Sequence, residues 1–257
     1  MSAGAAAAAL GTVGSVNAKD KAESLPLEAI NNKFHNAVKD DGAAGAKDGF
    51  EGFGLNPIVQ KSQDFKVNEI PDDDSDVTPQ YSYKDPKESN SELITSLSTY
   101  DGDVVLGVSM ILRGCATTFR NSWFVDDAIG IGFNDSDWAD VGEPAVTAST
   151  DHTARFTQSD VASNALAGTV DIVNQDGGVA TCDAIPKATV SLTGQFRLRD
   201  GGEPTTLWGS YSHTFGYEPT GTIQSIEGGR GGISLNLKLG ASTYWSIADP
   251  SDPEDVL

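Results

Sequence analysis

Three histidines, His35, His152 and His213, are the first place to look for chemistry in this chain. An imidazole titrates near neutrality and serves as acid, base or metal ligand, but only beside a group that orients it. His152 lies in the polar stretch Ser149–Thr153, where Asp151 is placed to orient the ring. His35 follows Phe34 on a segment with helical spacing and reads as a residue at the boundary of a packed face. His213 shares one side of a predicted strand with Leu207, Tyr211, Phe215 and Tyr217, while Trp208, Ser210, Ser212 and Thr214 take the other side. Two readings of that strand stay open. Facing inward, His213 is a neutral core histidine bonded to a tyrosine or to backbone. Facing outward, Tyr211, His213, Phe215 and Tyr217 make a stacking platform for sugar rings or an aromatic partner.

Nucleophilic chemistry has less to work with. There is no G-x-S-x-G motif and no strand–turn–helix context for a serine nucleophile. Cys115 in that role needs a local base and positive surroundings, and Arg113 is the one charge the sequence offers. Cys115 and Cys182 are too few for a disulfide framework, but they fit a single bridge in an exported protein; two buried free thiols are the other reading. No CxxC or Cys/His spacing exists, so a structural zinc site is not expected. The acidic loop Asn134–Glu143 carries Asp135, Asp137, Asp140 and Glu143, an all-oxygen donor set of the kind Ca²⁺ takes. The EF-hand spacing fails, because the third ligand is displaced and the glycine comes too late. A solvated acidic loop is therefore the competing reading, and calcium is the one cofactor the sequence suggests. Pro71–Asp76 is a second acidic cluster without defining spacing. Paired carboxylates for glycoside hydrolysis are defined by a separation in space that no sequence displays.

The elements that must carry these residues are mostly strands. Val104–Leu112 is an almost unbroken apolar run of strand length, as expected of a central strand covered on both faces. Val190, Leu192, Phe196 and Leu198 alternate with Ser191, Thr193, Gln195 and Arg197, and Ile233–Leu239 alternates in the same way. With Leu207–Tyr217, these segments are expected to form three antiparallel strands with wet outer faces, separated by the glycine-rich turns 200–204 and 228–232. Trp123–Val125 and Ile129–Phe133 follow, split by Asp126 and Asp127, and then weaker strands at Thr153–Phe156 and Thr169–Val173, with a short helix expected over Ser159–Leu166. Leu27, Ile30, Phe34 and Val38 recur at spacings of three and four, marking a helix that starts after Ser24 and ends near Gly42. The fold class is mainly β: an antiparallel β-sandwich or related barrel with a short N-terminal helix. The expected divisions are a signal-like segment 1–18, a helix and extended polar arm 19–98, the sandwich 99–248 and a disordered acidic tail 249–257. Most of residues 42–92, rich in Gly, Asp, Ser, Lys and Pro, forms the arm, and strand-like pieces such as Phe65–Ile70 are placed to pair with the main domain.

The chain of 257 residues carries 37 acidic and 17 basic side chains, a net charge of −20. Such a field repels phosphates, which argues against nucleic acid and anionic membrane surfaces as partners. Aspartate outnumbers glutamate 26 to 11, and Lys187 and Lys238 are the only lysines after residue 100. Residues 1–18 are uncharged and Ala-rich and close on Val16-Asn17-Ala18, a small-residue cleavage pattern. They are too short and too glycine-rich to read as a transmembrane span.

On Ala5–Ala9, on Val16–Ala18, on the aspartate-for-lysine surface and on the C-terminal strands, the chain resembles small exported β-rich proteins of halophilic archaea or their viruses. Residues 1–18 look like the later part of a twin-arginine signal. The resemblance implies a non-enzymatic, extracellular or cell-surface protein that binds or builds, adapted to high salt. A virion component (capsid, tail or spike) and a secreted hydrolase with a site at the sandwich edge, metal-assisted through Asp135, Asp137 and Asp140, are the alternatives. Residues 42–92 are the expected contact with a second copy or with an envelope or virion partner.

Overall fold

The apolar run that dominates the sequence lies at the centre of the structure. The structure, a computed structural model, describes residues 25–67, 91–112, 127–149, 153–156, 161–171, 188–216, 223–237 and 241–257. Two helices come first, α1 (Leu27–Asp41) and α2 (Ala43–Glu51). Strands β1 (Ile58–Ser62), β2 (Phe65–Val67), β3 (Glu92–Tyr100), β4 (Asp103–Leu112), β5 (Asp127–Gly132) and β6 (Trp138–Ala148) follow. Then come β7 (Thr153–Phe156), β8 (Ala165–Asp171), β9 (Ala188–Leu198) and β10 (Leu207–Gly216), and finally β11 (Ile223–Gly229), β12 (Gly232–Leu237) and β13 (Ala241–Ser251).

The strands form two antiparallel sheets and a hairpin. One sheet has the order β1-β3-β4-β9-β6, the other β2-β13-β10-β5-β8-β7, and β11 and β12 form the hairpin. The mainly-β sandwich expected from the sequence is what forms. Every residue of β4 is buried. Its Val104, Leu106, Val108, Met110 and Leu112 join Val190, Leu192 and Phe196 of β9 in the core between the sheets, against Ile129, Ile131 and Tyr211 of the facing sheet. Its Val105 and Ile111 point the other way, into a second core with Ile30, Phe34, Val38 and Phe50 of the helices. A smaller third core, Ala128, Ala165, Ala167, Ile226 and Ile233, lies under the hairpin on the outer face of the six-stranded sheet. The molecule is thus four layers deep: helices, sheet, sheet, hairpin.

Several expectations change. The three alternating strands are not neighbours: β9, β10 and β12 belong to different layers. The polar face of β9 is not wet, because α1 lies on it and residues 188–196 are buried throughout. Much of the expected arm is structured. Gly42, at φ +64°, turns the chain from α1 straight into α2, its N–H donating to Val38 O at 2.8 Å. Strand β1 pairs with β3, and β3 itself is part of the sandwich; β2, within the strand-like stretch Phe65–Ile70, pairs with β13 as its composition suggested, and residues 68–90 lie outside the described residues. Where a helix was expected over Ser159–Leu166, Val161 bridges to Ile226 and β8 begins at Ala165. The acidic tail is not loose over its described length. β13 runs to Ser251, Asp252 Oδ1 accepts from Glu254 N at 3.2 Å, and Pro253 is buried in a 3₁₀ turn. Residues 1–18, His152 and both cysteines lie outside the described residues.

Covering a hydroxyl face with a helix requires polar groups on the helix. Asn31 and His35, one turn apart on α1, supply them. Asn31 Nδ2 donates to Thr147 Oγ1 at 2.9 Å, and its Oδ1 accepts from Thr193 Oγ1 at 2.9 Å. His35 Nδ1 lies 3.1 Å from Ser191 Oγ, which is 2.8 Å from Ser109 Oγ. His35, expected at a boundary, is instead 3% exposed inside this layer. Burial, with the Lys39 ammonium adding to it, lowers its pKa from 6.5 to about 4. The unfolded chain therefore binds more protons than the native protein between these values, and stability falls as pH drops from 6.5 towards 4. The expected loss across that window is about 3 kcal/mol. Denaturant midpoints of the parent and of His35→Gln, followed from pH 7 to pH 4, check this: the variant should lose markedly less than the parent.

Candidate functional site

Five segments meet at the end of the six-stranded sheet where β5 and β13 leave and β8 and β10 enter. They enclose a cleft of about 730 Å³ lined by residues of 133–135, 164, 203–206 and 208, the β11–β12 turn and the segment after β13. Each segment is pinned by named bonds. Asn164 clasps the hairpin twice, its Nδ2 donating to Gly228 O at 2.7 Å and its Oδ1 accepting from Gly228 N at 3.1 Å. Asp137 ties the loop after β5 to the loop before β10. Its Oδ2 accepts from Thr205 Oγ1 at 2.9 Å and from Asn134 Nδ2, and its Oδ1 accepts from Glu203 N at 3.4 Å. The Thr205 hydroxyl above all, with the Glu203 N–H and the Asn134 amide, holds the Asp137 carboxyl below its usual range. Trp138 Nε1 donates to Thr205 O at 2.9 Å, and Ser163 Oγ donates to Asp135 Oδ2 at 2.7 Å.

The glycines of the hairpin turn set the wall of the cleft. A Cβ on Gly132 would fall 2.5 Å from Gly232 O, and one on Gly130 would fall 2.6 Å from Ile233 Cγ2, so the bare backbone of β5 is what lets the hairpin sit this close. Ser210 Oγ then accepts from Ile233 N at 2.9 Å and donates to Gly130 O at 3.2 Å, fixing hairpin to sheet. The resulting surface has a half-buried indole, Trp208, beside buried Phe133. Around them stand exposed carboxylates from three segments and the exposed guanidinium of Arg230.

The expected calcium loop takes a different form. Asp135 and Asp137 lie on the turn before β6, but Asp140 and Glu143 are exposed on β6 itself. Among the described residues, no group of three or more His, Cys, Asp or Glu side chains is placed to hold a metal ion. The four acidic residues do not converge, because a strand separates its residues along an extended line, and Asp137 is already committed to Thr205 and Asn134.

At the opposite end of the same sheet lies a buried polar knot. Tyr211 and His213 do share a face, and it faces inward: they are 0% and 8% exposed. This is the core-histidine reading, with a partner the sequence did not suggest. Asp127, 1% exposed at the start of β5, accepts from Tyr211 OH at 2.6 Å and from Thr214 N at 2.9 Å, and its Oδ2 lies 2.9 Å from His213 Nδ1. Tyr211 and His213 thus form no exposed platform; the Phe215 side chain and Tyr217 lie outside the described residues. Burial first, then the Asp127 charge and hydrogen bond, push the Tyr211 hydroxyl well above its usual pKa, so it stays a donor. Asp127 was readable in the sequence only as one of two aspartates dividing apolar runs. The available signal was an acid heading an otherwise apolar strand.

This knot serves the framework, and its removal should be felt as stability. Asp127→Ala takes away the acceptor shared by Tyr211, His213 and Thr214 and should cost about 3–5 kcal/mol. Tyr211→Phe removes the hydrogen bond to the Asp127 carboxylate and should cost about 1.5–3 kcal/mol. Equilibrium unfolding at one fixed molar KCl concentration measures both. An Asp127→Ala protein as stable as the parent would remove the knot from the list of things that hold the sandwich together.

No family model matches the sequence, and no curated protein matches it. Solved structures do match. One, from work on the pH-induced modulation of Streptococcus parasanguinis adhesion by Fap1 fimbriae, is 9% identical, with 63% of this chain and 79% of that chain covered and a TM-score of 0.26. So loose a superposition says nothing further about this chain.

Proposed function

We propose that this is an extracellular or cell-surface β-protein that works by binding or as a structural component in concentrated salt. The observation that carries the reading is where the charge sits. Beyond residue 100 the described surface presents carboxylates such as Asp101, Asp135, Asp140, Glu143, Asp200 and Glu227, with no lysine among the described residues to offset them. Like charges at this density repel across roughly 10 Å at 0.1 M salt but only about 3 Å at 1 M, so molar salt relieves the repulsion while the carboxylates keep their hydration. Buried Asn31, Asp103 and Asp127 are engaged in the framework. His35 is held by a hydrogen bond between helix and sheet and His213 by one between neighbouring strands of a sheet, which favours binding over catalysis by these imidazoles. The metal-assisted hydrolase reading through Asp135, Asp137 and Asp140 lacks the convergence it requires. Among the described residues no helix is long and apolar enough to cross a membrane.

Folding should depend on salt. Thermal unfolding followed by circular dichroism is expected to show a melting temperature that climbs steadily from 0.1 M to multi-molar KCl, with loss of structure at the low end. A melting temperature indifferent to KCl would defeat the high-salt reading. The intact mass of the natural protein tests the location: a mature start near Lys19 supports export, whereas retained Met1 supports assembly into a virion.

A further inference from the structure

We infer that the cleft beside Trp208 is a binding site for a neutral oligosaccharide. The inference rests on the reading of this protein as one that acts by binding, and it adds a ligand class to it. Three features of the lining point the same way. Trp208 offers a half-buried aromatic face, suited to the C–H face of a sugar ring. Asp135, Glu203, Asp252 and Glu254 reach the cleft from three different segments and are all exposed. Arg230, at the hairpin turn, is the one base in the lining, and it has no partner among the described residues despite those acids.

Carboxylates only accept hydrogen bonds and a guanidinium only donates them. An organic cation could use the acids but would be opposed by Arg230. An anion could use Arg230 but would meet four carboxylates against one guanidinium. A sugar hydroxyl both donates and accepts, so a polyol can satisfy both kinds of group at once and still lay an apolar face on the indole. The site is also held ready. The Asn164 clasp on Gly228 and the bonds from Asp137 to Thr205 and Glu203 fix the walls before any ligand arrives, which lowers the ordering cost of binding. Hydrogen bonding and stacking of this kind survive molar salt, where attraction between free charges is screened.

The test is calorimetric titration of the full chain in molar KCl with cellotetraose, maltotetraose and N-acetylchitotetraose, and with spermidine as the cationic alternative. At least one tetrasaccharide should bind saturably at one site, with an affinity that changes little as KCl is raised. Trp208→Ala and Arg230→Ala should each weaken it about tenfold or more. Glu203→Gln, at an exposed side chain that holds nothing in the framework, should also weaken it and guards against loss of fold in the other two; melting temperatures are read alongside. Cleavage of the bound tetrasaccharide would keep the site while overturning the non-catalytic reading of the protein. Absence of binding by all three sugars, binding untouched by Trp208→Ala and Glu203→Gln, or spermidine binding that displaces the sugar would overturn the inference. The KCl dependence of folding, measured without ligand, tests the functional reading separately.

Discussion

The five-stranded sheet must bury both of its faces, and the one under the helices mixes apolar side chains such as Ile94, Val105 and Ile111 with hydroxyls. That constraint governs the rest of the structure. Strand β9 gives Val190, Leu192 and Phe196 to the inter-sheet core and turns Ser191, Thr193 and Gln195 towards the helices and the sheet's edge. A wholly apolar helix laid on that face would strand its hydroxyls, at about 1–3 kcal/mol each. Helix α1 instead carries two stripes. Ile30, Phe34 and Val38 fill the second core, while Asn31 and His35 reach Ser191, Thr193 and Thr147. The match is not complete: Ser96 Oγ and Thr189 Oγ1 are buried without a hydrogen-bond partner among the described residues. What it provides is register. Sliding α1 by one turn along the sheet would leave each of those bonds unmade, so the polar stripe fixes where the helix lies and the apolar stripe makes it stay.

The same layer explains what could and could not be seen in the sequence. Period-2 alternation located β9 and β12, and the unbroken apolar run located β4 at the sheet's centre, because those signals depend only on which way successive side chains point. Alternation cannot say what covers the polar face. Ser191 and Thr193 look the same whether water or Asn31 lies over them, so a wet face was expected where a helix sits. Residues 43–62 were expected to be an arm because their composition is poor in strand formers. Yet Ala46, Phe50 and Leu55 are buried by α1 and the sheet, and burial there comes from tertiary partners rather than local propensity. The cleft was illegible for a different reason. Phe133, Glu203, Trp208, Arg230 and Asp252 are spread over 120 residues of chain, and only the strand order of the six-stranded sheet brings them to one end.

That sheet has two ends with opposite characters. At one, Asp127 gathers the Tyr211 hydroxyl, the His213 ring and the Thr214 N–H into a closed, buried set. At the other, polar side chains spend themselves on holding loops, and the cleft between those loops stays open. The hairpin is what makes the difference. It sits on a floor of Ala128, Gly130, Gly132, Ala165 and Ala167, residues too small to hold it off, and its turn projects past the end of β5 to form one wall. Small side chains on β5 and β8 are therefore as much a part of the cleft as the groups that line it.

Salt acts on the two kinds of carboxylate in this protein in different ways. The exposed ones interact through solvent, where counterions enter freely, so their mutual repulsion is what screening removes. The buried ones are bound at short range. Asp103, 4% exposed, takes both Nε and Nη2 of Arg197 at 2.7 and 2.8 Å and Gln195 Nε2 at 2.7 Å, and Asp127 is enclosed by Tyr211, His213 and Thr214. Counterions do not reach the buried Asp127 set, whereas the half-exposed guanidinium of Arg197 leaves its pair partly open to screening. A protein built with surface ion pairs would lose part of its stability in brine. Here the lysine pairs Lys47–Glu51 and Lys61–Glu92 draw their lysines from before residue 100; beyond it the exposed charges of the described residues are mostly alike, and it is their repulsion that screening relieves. The scarcity of lysine beyond residue 100 fits that pattern: a lysine on this surface would form pairs that screening then weakens, whereas the exposed arginines at 197 and 199 give donors to Asp103 and to Trp138 O.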